Sequence, residues 1–211
     1  MPRSPRLLLS LSYYHVMTRG NNLNRIFRCD NDYLKYKELI SEYKKIHPFD
    51  LFHYCFMPNH THFLIRTKDA SDFSTFMKKL NLSYFYHYKK HYGWTGHFWQ
   101  DRFKSQPVGK DEYFIQCGKY IELNPARAGI VKDPDNYKYC SYSYYADGKE
   151  DNLITEDIFY DQLGKTPSER QENYKRMIID EIIEKTYKKK SWGSKEQRYN
   201  EIRKIRYHLN K

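Results

Sequence analysis

The chain has 211 residues, 37 Lys and Arg against 26 Asp and Glu for a net charge of +11, and 18% aromatic residues. That aromatic content excludes a mainly disordered protein, and 9 Gly with 8 Pro exclude a collagenous or low-complexity one. No apolar run approaches the roughly 18 residues that a bilayer-crossing helix needs.

Arg3 and Arg6 precede Leu7, Leu8 and Leu9 in the manner of a secretion leader. The run is too short, however, and Tyr13-Tyr14-His15 stands where a small-residue cleavage site belongs. Cys29, Cys55, Cys117 and Cys140 form no CxxC pair, which argues against a thiolate zinc site and for reduced thiols. The expected location is the cytoplasm, in association with the nucleoid.

Tyr13–Arg19 reads as a short strand broken by Gly20-Asn21-Asn22. Asp30–His47 reads as a helix started by Asp30 or Asp32 and ended by Pro48. Phe49–Met57 and His60–Thr67 are two strands joined by a tight Pro58-Asn59 turn, a predicted antiparallel hairpin. Asp72–Tyr92 carries Phe73, Phe76, Met77, Leu80, Tyr84 and Tyr88 on one helical stripe, with Gly93 as the stop. Gly96–Val108 is strand-like but has no clean period, and Asp111–Asn124 is a helix ended by Pro125. Helical stretches follow near Thr155–Leu163, Pro167–Lys189 and Lys195–Leu209. The order predicts an α+β fold, a ferredoxin-like antiparallel sheet with helices over one face, plus a helical basic C-terminal extension. From Lys165 to Lys211 there are 14 Lys and Arg against 7 Asp and Glu. A chain this basic and aromatic points to a polyanion: cations neutralise phosphates and aromatic faces stack on unpaired bases.

His60 and His62 are two apart on a predicted strand, so both imidazoles leave the same face and suit a divalent metal. Thr61, Phe63 and Ile65 leave the other. On the Asp111–Asn124 helix, Phe114, Gly118 and Ile121 form the natural core stripe. Tyr113, Cys117, Tyr120 and Asn124 form a second face, and spacing alone does not choose Tyr120 over Tyr113 as a nucleophile.

Four segments, YHVMTRGNN (Tyr14–Asn22), MPNHTHFLI (Met57–Ile65), GHFWQDRFKS (Gly96–Ser105) and YIELNPARAGIV (Tyr120–Val131), resemble in order and spacing the single-tyrosine HUH transposases, most closely the REP-associated tyrosine transposases. The similarity runs from about Tyr13 to Tyr145 and implies a transposase domain over 1–145 with the extension over 146–211. It implies that His60 and His62 bind a catalytic Mg²⁺ or Mn²⁺, that Asn124 is a third ligand, and that Tyr120 is the nucleophile. Thr61 departs from the resemblance, which has a bulky apolar residue there. Since Thr61 faces away from the imidazoles, the expected effect is on packing.

The implied reaction is metal-dependent cleavage of single-stranded DNA through a 5′-phosphotyrosine adduct and a free 3′-OH, followed by strand transfer. The implied partner is a DNA hairpin or palindromic repeat, with no membrane and with a homodimer left open. Arg19, Arg102 and Lys104 are the expected phosphate contacts, and Trp94, Phe98 and Trp99 the expected base-stacking rings. Two other readings compete. One is a non-catalytic, domesticated binder of nucleic-acid hairpins. The other is a zinc hydrolase, for which His53 is the one obvious additional ligand.

Overall fold

A computed structural model describes residues 8–110 and 112–189, with side chains described to 180. The leader-like Arg3 and Arg6, the expected helix start Asp111, the expected helix Lys195–Leu209 and most of the C-terminal basic charge lie outside the described residues.

Strand β1 (Tyr13–Arg19) leads through a short turn to helix α1 (Asp30–Ile46), strand β2 (Phe49–Met57), strand β3 (His60–Thr67) and helix α2 (Ala70–Tyr92). Strand β4 (Lys104–Pro107) and helices α3 (Glu112–Glu122), α4 (Asn124–Arg127), α5 (Tyr142–Asp147) and α6 (Pro167–Lys189) follow. The sheet order is β2-β3-β1-β4, with every neighbouring pair antiparallel, the ferredoxin-like arrangement expected.

Each long helix is started by its own carboxylates. The Asp32 side chain accepts from the Arg28 and Cys29 amides at 2.8 and 3.2 Å. Asp69 accepts from Ser71 and Asp72 at 2.8 and 2.9 Å, satisfying donors that a helix start leaves open. Gly93 ends α2 at φ 63°, a left-handed turn that glycine adopts without strain. The α2 stripe of Phe73, Phe76, Met77, Leu80, Tyr84 and Tyr88 is wholly buried. It packs with Tyr36 and Ile40 of α1 on Tyr14, Val16, Phe56 and Phe63 of the sheet.

Helices cover both faces of the sheet, not one. A second apolar cluster joins Phe52, Cys55, Met57 and Leu64 to Phe114 and Ile121 of α3, Tyr142 and Tyr145 of α5, and Tyr174 and Ile178 of α6. A register shift between Leu51 and His53 helps. Such a bulge breaks strict alternation and aims neighbouring side chains at one side, so His53 meets α3. A Cβ on Gly118 would lie 2.8 Å from His53 Nε2, and only glycine lets α3 come this close to β2.

Three expectations shift. Pro125 does not stop a helix: α3 ends at Glu122, and Pro125 sits in the first turn of α4, where its missing N–H costs nothing. Residues 155–163 are mostly irregular, with one tight turn at Tyr160–Leu163. In the strand-like stretch 96–108 only Lys104–Pro107 joins the sheet.

Candidate active site

Alternation along β3 places His60 and His62 on the α3 face, while Thr61, fully buried, lies on the side of Phe63 and Ile65. The turn before them is pinned: Gly20 N–H donates to the Asn59 carbonyl at 2.9 Å, and Ile26 and Phe27 donate to Pro58 at 2.8 and 3.1 Å. The two rings lie 4.7 Å apart, nearly perpendicular at 81°.

A third imidazole completes the group. His15 on β1 stacks on His62, with centroids 5.0 Å apart and planes 19° from parallel, and its Nε2 is 2.8 Å from His62 Nδ1. His15 escapes the HxH spacing because the register of β1 on β3 joins it to the site only in three dimensions. His60 Nδ1 lies 2.6 Å from Asn59 Oδ1. His62 Nε2 is buried and has no hydrogen-bond partner among the described residues.

Burial pushes all three imidazoles down. His15 falls to about 4. His60 falls to about 4 through burial and the nearby Arg19 charge, and His62 to about 2 through burial and its two histidine neighbours. All three are neutral at pH 7, the state in which imidazole can ligate a metal.

On α3, Phe114, Gly118 and Ile121 are buried, while Tyr113 is 76% and Tyr120 42% exposed. Tyr120, and not Tyr113, meets the histidines. Its ring lies 5.8 Å from His15 at 73° and 5.9 Å from His62 at 88°. The Arg127 guanidinium stands 4.9 Å over the same ring. Arg127 lies on α4, beyond the end of the helix that carries Tyr120, so helical spacing gave no signal for it. Burial raises the Cys117 thiol, a neighbour on this helix face, to about 12, so it stays protonated.

Asn124 turns its amide nitrogen to the Tyr120 and Ile121 carbonyls at 2.8 and 3.3 Å, leaving its oxygen as the free end. Among the described residues no three His, Cys, Asp or Glu side chains gather into a metal cage. What the site offers a cation is an orphaned buried imidazole nitrogen and a second neutral imidazole. That donor set fits a divalent ion that keeps positions open for phosphate oxygens.

Arg19, Arg102 and Lys104 line one pocket of about 190 Å³, together with Met17, Gln100 and Asp101. Arg19 pairs with His60, and Met17 with His62, across the strands, so this pocket borders the imidazoles. A larger groove of about 880 Å³ shares Gln100, Asp101 and Arg102 with it and runs along α2 past Phe85 and Trp99.

Phe98 is corrected to a core residue. It is 3% exposed and ringed by Tyr84, Tyr88, Trp94 and Trp99, so its faces are covered by neighbouring rings. Trp94 and Trp99 are partly buried against the same core, and Trp99 Nε1 donates to the Asn81 carbonyl at 2.9 Å.

His53 is not a spare metal ligand. Both its nitrogens meet carboxylates, Nδ1 with Glu122 at 2.9 Å and Nε2 with Asp157 at 2.7 Å. Glu122 also accepts from Ser141 at 2.5 Å and from Tyr174 at 2.6 Å. This largely buried cluster, with Asp157 at its half-buried edge, ties the helix that carries Tyr120 to β2, α6 and the segments around Ser141 and Asp157. Sequence reading missed it because its members are far apart along the chain.

The profile of the family described as Transposase IS200 like matches residues 9–124. Among solved structures, a REP-associated tyrosine transposase bound to a REP hairpin matches with 18% identity and a TM-score of 0.59, over 75% of this chain and 93% of that one. A chain from Deinococcus radiodurans R1 described as a candidate transposase matches with 17% identity over 58% of this chain and 96% of that one. Its TM-score is 0.40. A search of the curated proteins finds no significant match.

Proposed function

This chain belongs to the IS200-like transposase family, and from that premise we propose that it is a tyrosine-dependent single-strand DNA endonuclease and strand transferase acting beside a DNA hairpin. The observation that carries the reading is the Tyr120 ring edge-on to His15 and His62 within one chain. A phenol 42% open to solvent and set beside neutral imidazoles is where a nucleophile and a metal would have to meet.

His60, His62 and Asn124 would hold Mg²⁺ or Mn²⁺. A divalent ion bound there supplies charge neutralisation at the scissile phosphate. The residues of the chain do the rest. Tyr120 Oη forms a bond to phosphorus in line with the leaving 3′ oxygen, and the P–O3′ bond breaks. The phenolic proton passes to solvent, and the released 3′ oxygen is protonated to a free hydroxyl. Attack by another strand's 3′-OH reverses the step without ATP, because the phosphotyrosine conserves the bond energy.

Arg127 over the ring favours the developing phenolate electrostatically. Arg19, Arg102 and Lys104 would guide the backbone into the site, and Trp94 and Trp99 would flank the strand. Among the described residues no helix is long and apolar enough to cross a membrane. The proposed setting is the cytoplasm, on chromosomal DNA.

The test is incubation of the full chain with a labelled hairpin oligonucleotide that carries single-stranded flanks, plus Mn²⁺. A denaturant-resistant protein–DNA band should form, and should vanish with chelator and with Tyr120→Phe. Binding that survives both treatments with no cleavage in any lane would leave only a non-catalytic hairpin binder.

A further inference from the structure

His62 and His15 approach nitrogen to nitrogen at 2.8 Å, and the outcome depends on which ring holds the proton. If His15 Nε2–H donates, His62 Nδ1 accepts and the His62 proton sits on Nε2. That nitrogen is buried without a partner among the described residues. The site would then contain an orphaned buried donor and would show no lone pair to a cation. If His62 Nδ1–H donates instead, Nε2 carries the lone pair.

We propose that His15 is a positioning residue: its Nε2 accepts from His62 Nδ1–H and fixes the tautomer of His62 that turns the Nε2 lone pair to the divalent cation. The inference rests on the metal reading above and deepens it.

The neighbouring ring supports it. His60 Nδ1 meets Asn59 Oδ1 at 2.6 Å, and an amide oxygen can only accept. The His60 proton is therefore on Nδ1, and its Nε2 is the lone-pair nitrogen. Two adjacent rings would thus be oriented alike by two residues that touch no metal. His15 is itself held in place, opposite Leu64 across the β1–β3 ladder and edge-on to Tyr120. Its own Nε2 must be the unprotonated nitrogen, with its proton on Nδ1. Residues in this relation to a ligand histidine change metal affinity by about 10–100-fold when removed.

Long-range proton–nitrogen correlation spectra of the metal-free full chain read the tautomer directly, with the His62 signals identified by their loss in His62→Gln. The expected result is Nδ1–H on His62. A companion Mn²⁺ titration, followed by the spin-resonance signal of the free ion, compares two variants. His15→Leu, which cannot accept, should weaken binding by about 10–100-fold. His15→Gln, whose amide oxygen can accept, should recover most of the loss. Melting temperatures of the metal-free variants check that both fold.

An Nε2–H tautomer in the wild-type chain overturns the proposal, whatever the variants do. So does Mn²⁺ binding that is unchanged in His15→Leu, or equally weak in both variants. A wild-type chain that binds no Mn²⁺ overturns the metal reading instead, while the spectrum still decides the pairing.

Discussion

His62 and Tyr120 stand edge to face, ring centroids 5.9 Å apart and planes at 88°, although one comes from a sheet strand and the other from a helix far along the chain. The contact is made inside a single chain. It depends on two features remote from the chemistry: the glycine that lets α3 approach β2, and the buried carboxylate two residues after the tyrosine.

Glu122 is that carboxylate. It is fully buried and bonded to His53, Ser141 and Tyr174. Glu122→Ala would leave His53 Nδ1 and the Ser141 and Tyr174 hydroxyls without the carboxylate that accepts from them. Removing one member of a buried ionic pair costs about 3–5 kcal/mol. Urea denaturation of the variant should show a loss of that size, and a loss below about 1 kcal/mol would show that the cluster does not hold the helix.

His53 gives this cluster a pH signature. Burial acts to lower its pKa, but the hydrogen bonds and charges of Asp157 and Glu122 outweigh it and hold the group up at about 9, above the ordinary 6.5. A pKa raised on folding contributes stability that is complete below about 6.5 and is lost as pH climbs through 9. The melting temperature of the wild-type chain should therefore fall between pH 6.5 and 9.5 more steeply than that of His53→Gln. Parallel slopes would mean that the imidazole is not charged in the fold.

Arg127 lies over the Tyr120 ring at 4.9 Å. A cation over an exposed ring is worth about 0.5–1 kcal/mol, and more as charge develops on the phenol. Arg127→Ala should slow adduct formation by roughly tenfold, about 1.4 kcal/mol, and leave hairpin affinity near that of the wild type. An unchanged single-turnover rate would remove Arg127 from the reaction.

Thr61 sits between the two histidines in sequence but on the opposite face of the sheet, fully buried. Thr61→Val should keep cleavage within about twofold of wild type and leave the melting temperature equal or higher, since a buried hydroxyl is exchanged for a methyl group. A large loss of cleavage with an intact fold would mean that this side chain reaches the imidazoles.

The sequence made β1, β2, β3 and α2 legible to within a residue or two, because alternation, an apolar stripe and Asp or Gly punctuation all agree there. The exposed face of α3 was legible for the same reason. Helix α5 was not: its six residues span too few turns to show a period. Pro125 misled because a proline that ends one helix can equally begin another. His60 and His62 could be found from spacing on one strand. His15 could not, since its place beside them depends on the register of β1 on β3. The His53 cluster was invisible for a related reason. Buried charges satisfy one another across three or more elements, and no local pattern records that.

The most direct test of the account is to locate the covalent bond. After reaction with the hairpin oligonucleotide and Mn²⁺, the DNA is digested away, and tandem mass spectrometry of the tryptic peptides seeks the residue that retains a nucleotide. The expected result is a nucleotide joined through its 5′ phosphate to Tyr120 and to no other tyrosine. A modified Tyr113 or any other residue, or cleaved DNA with no modified peptide at all, would contradict it.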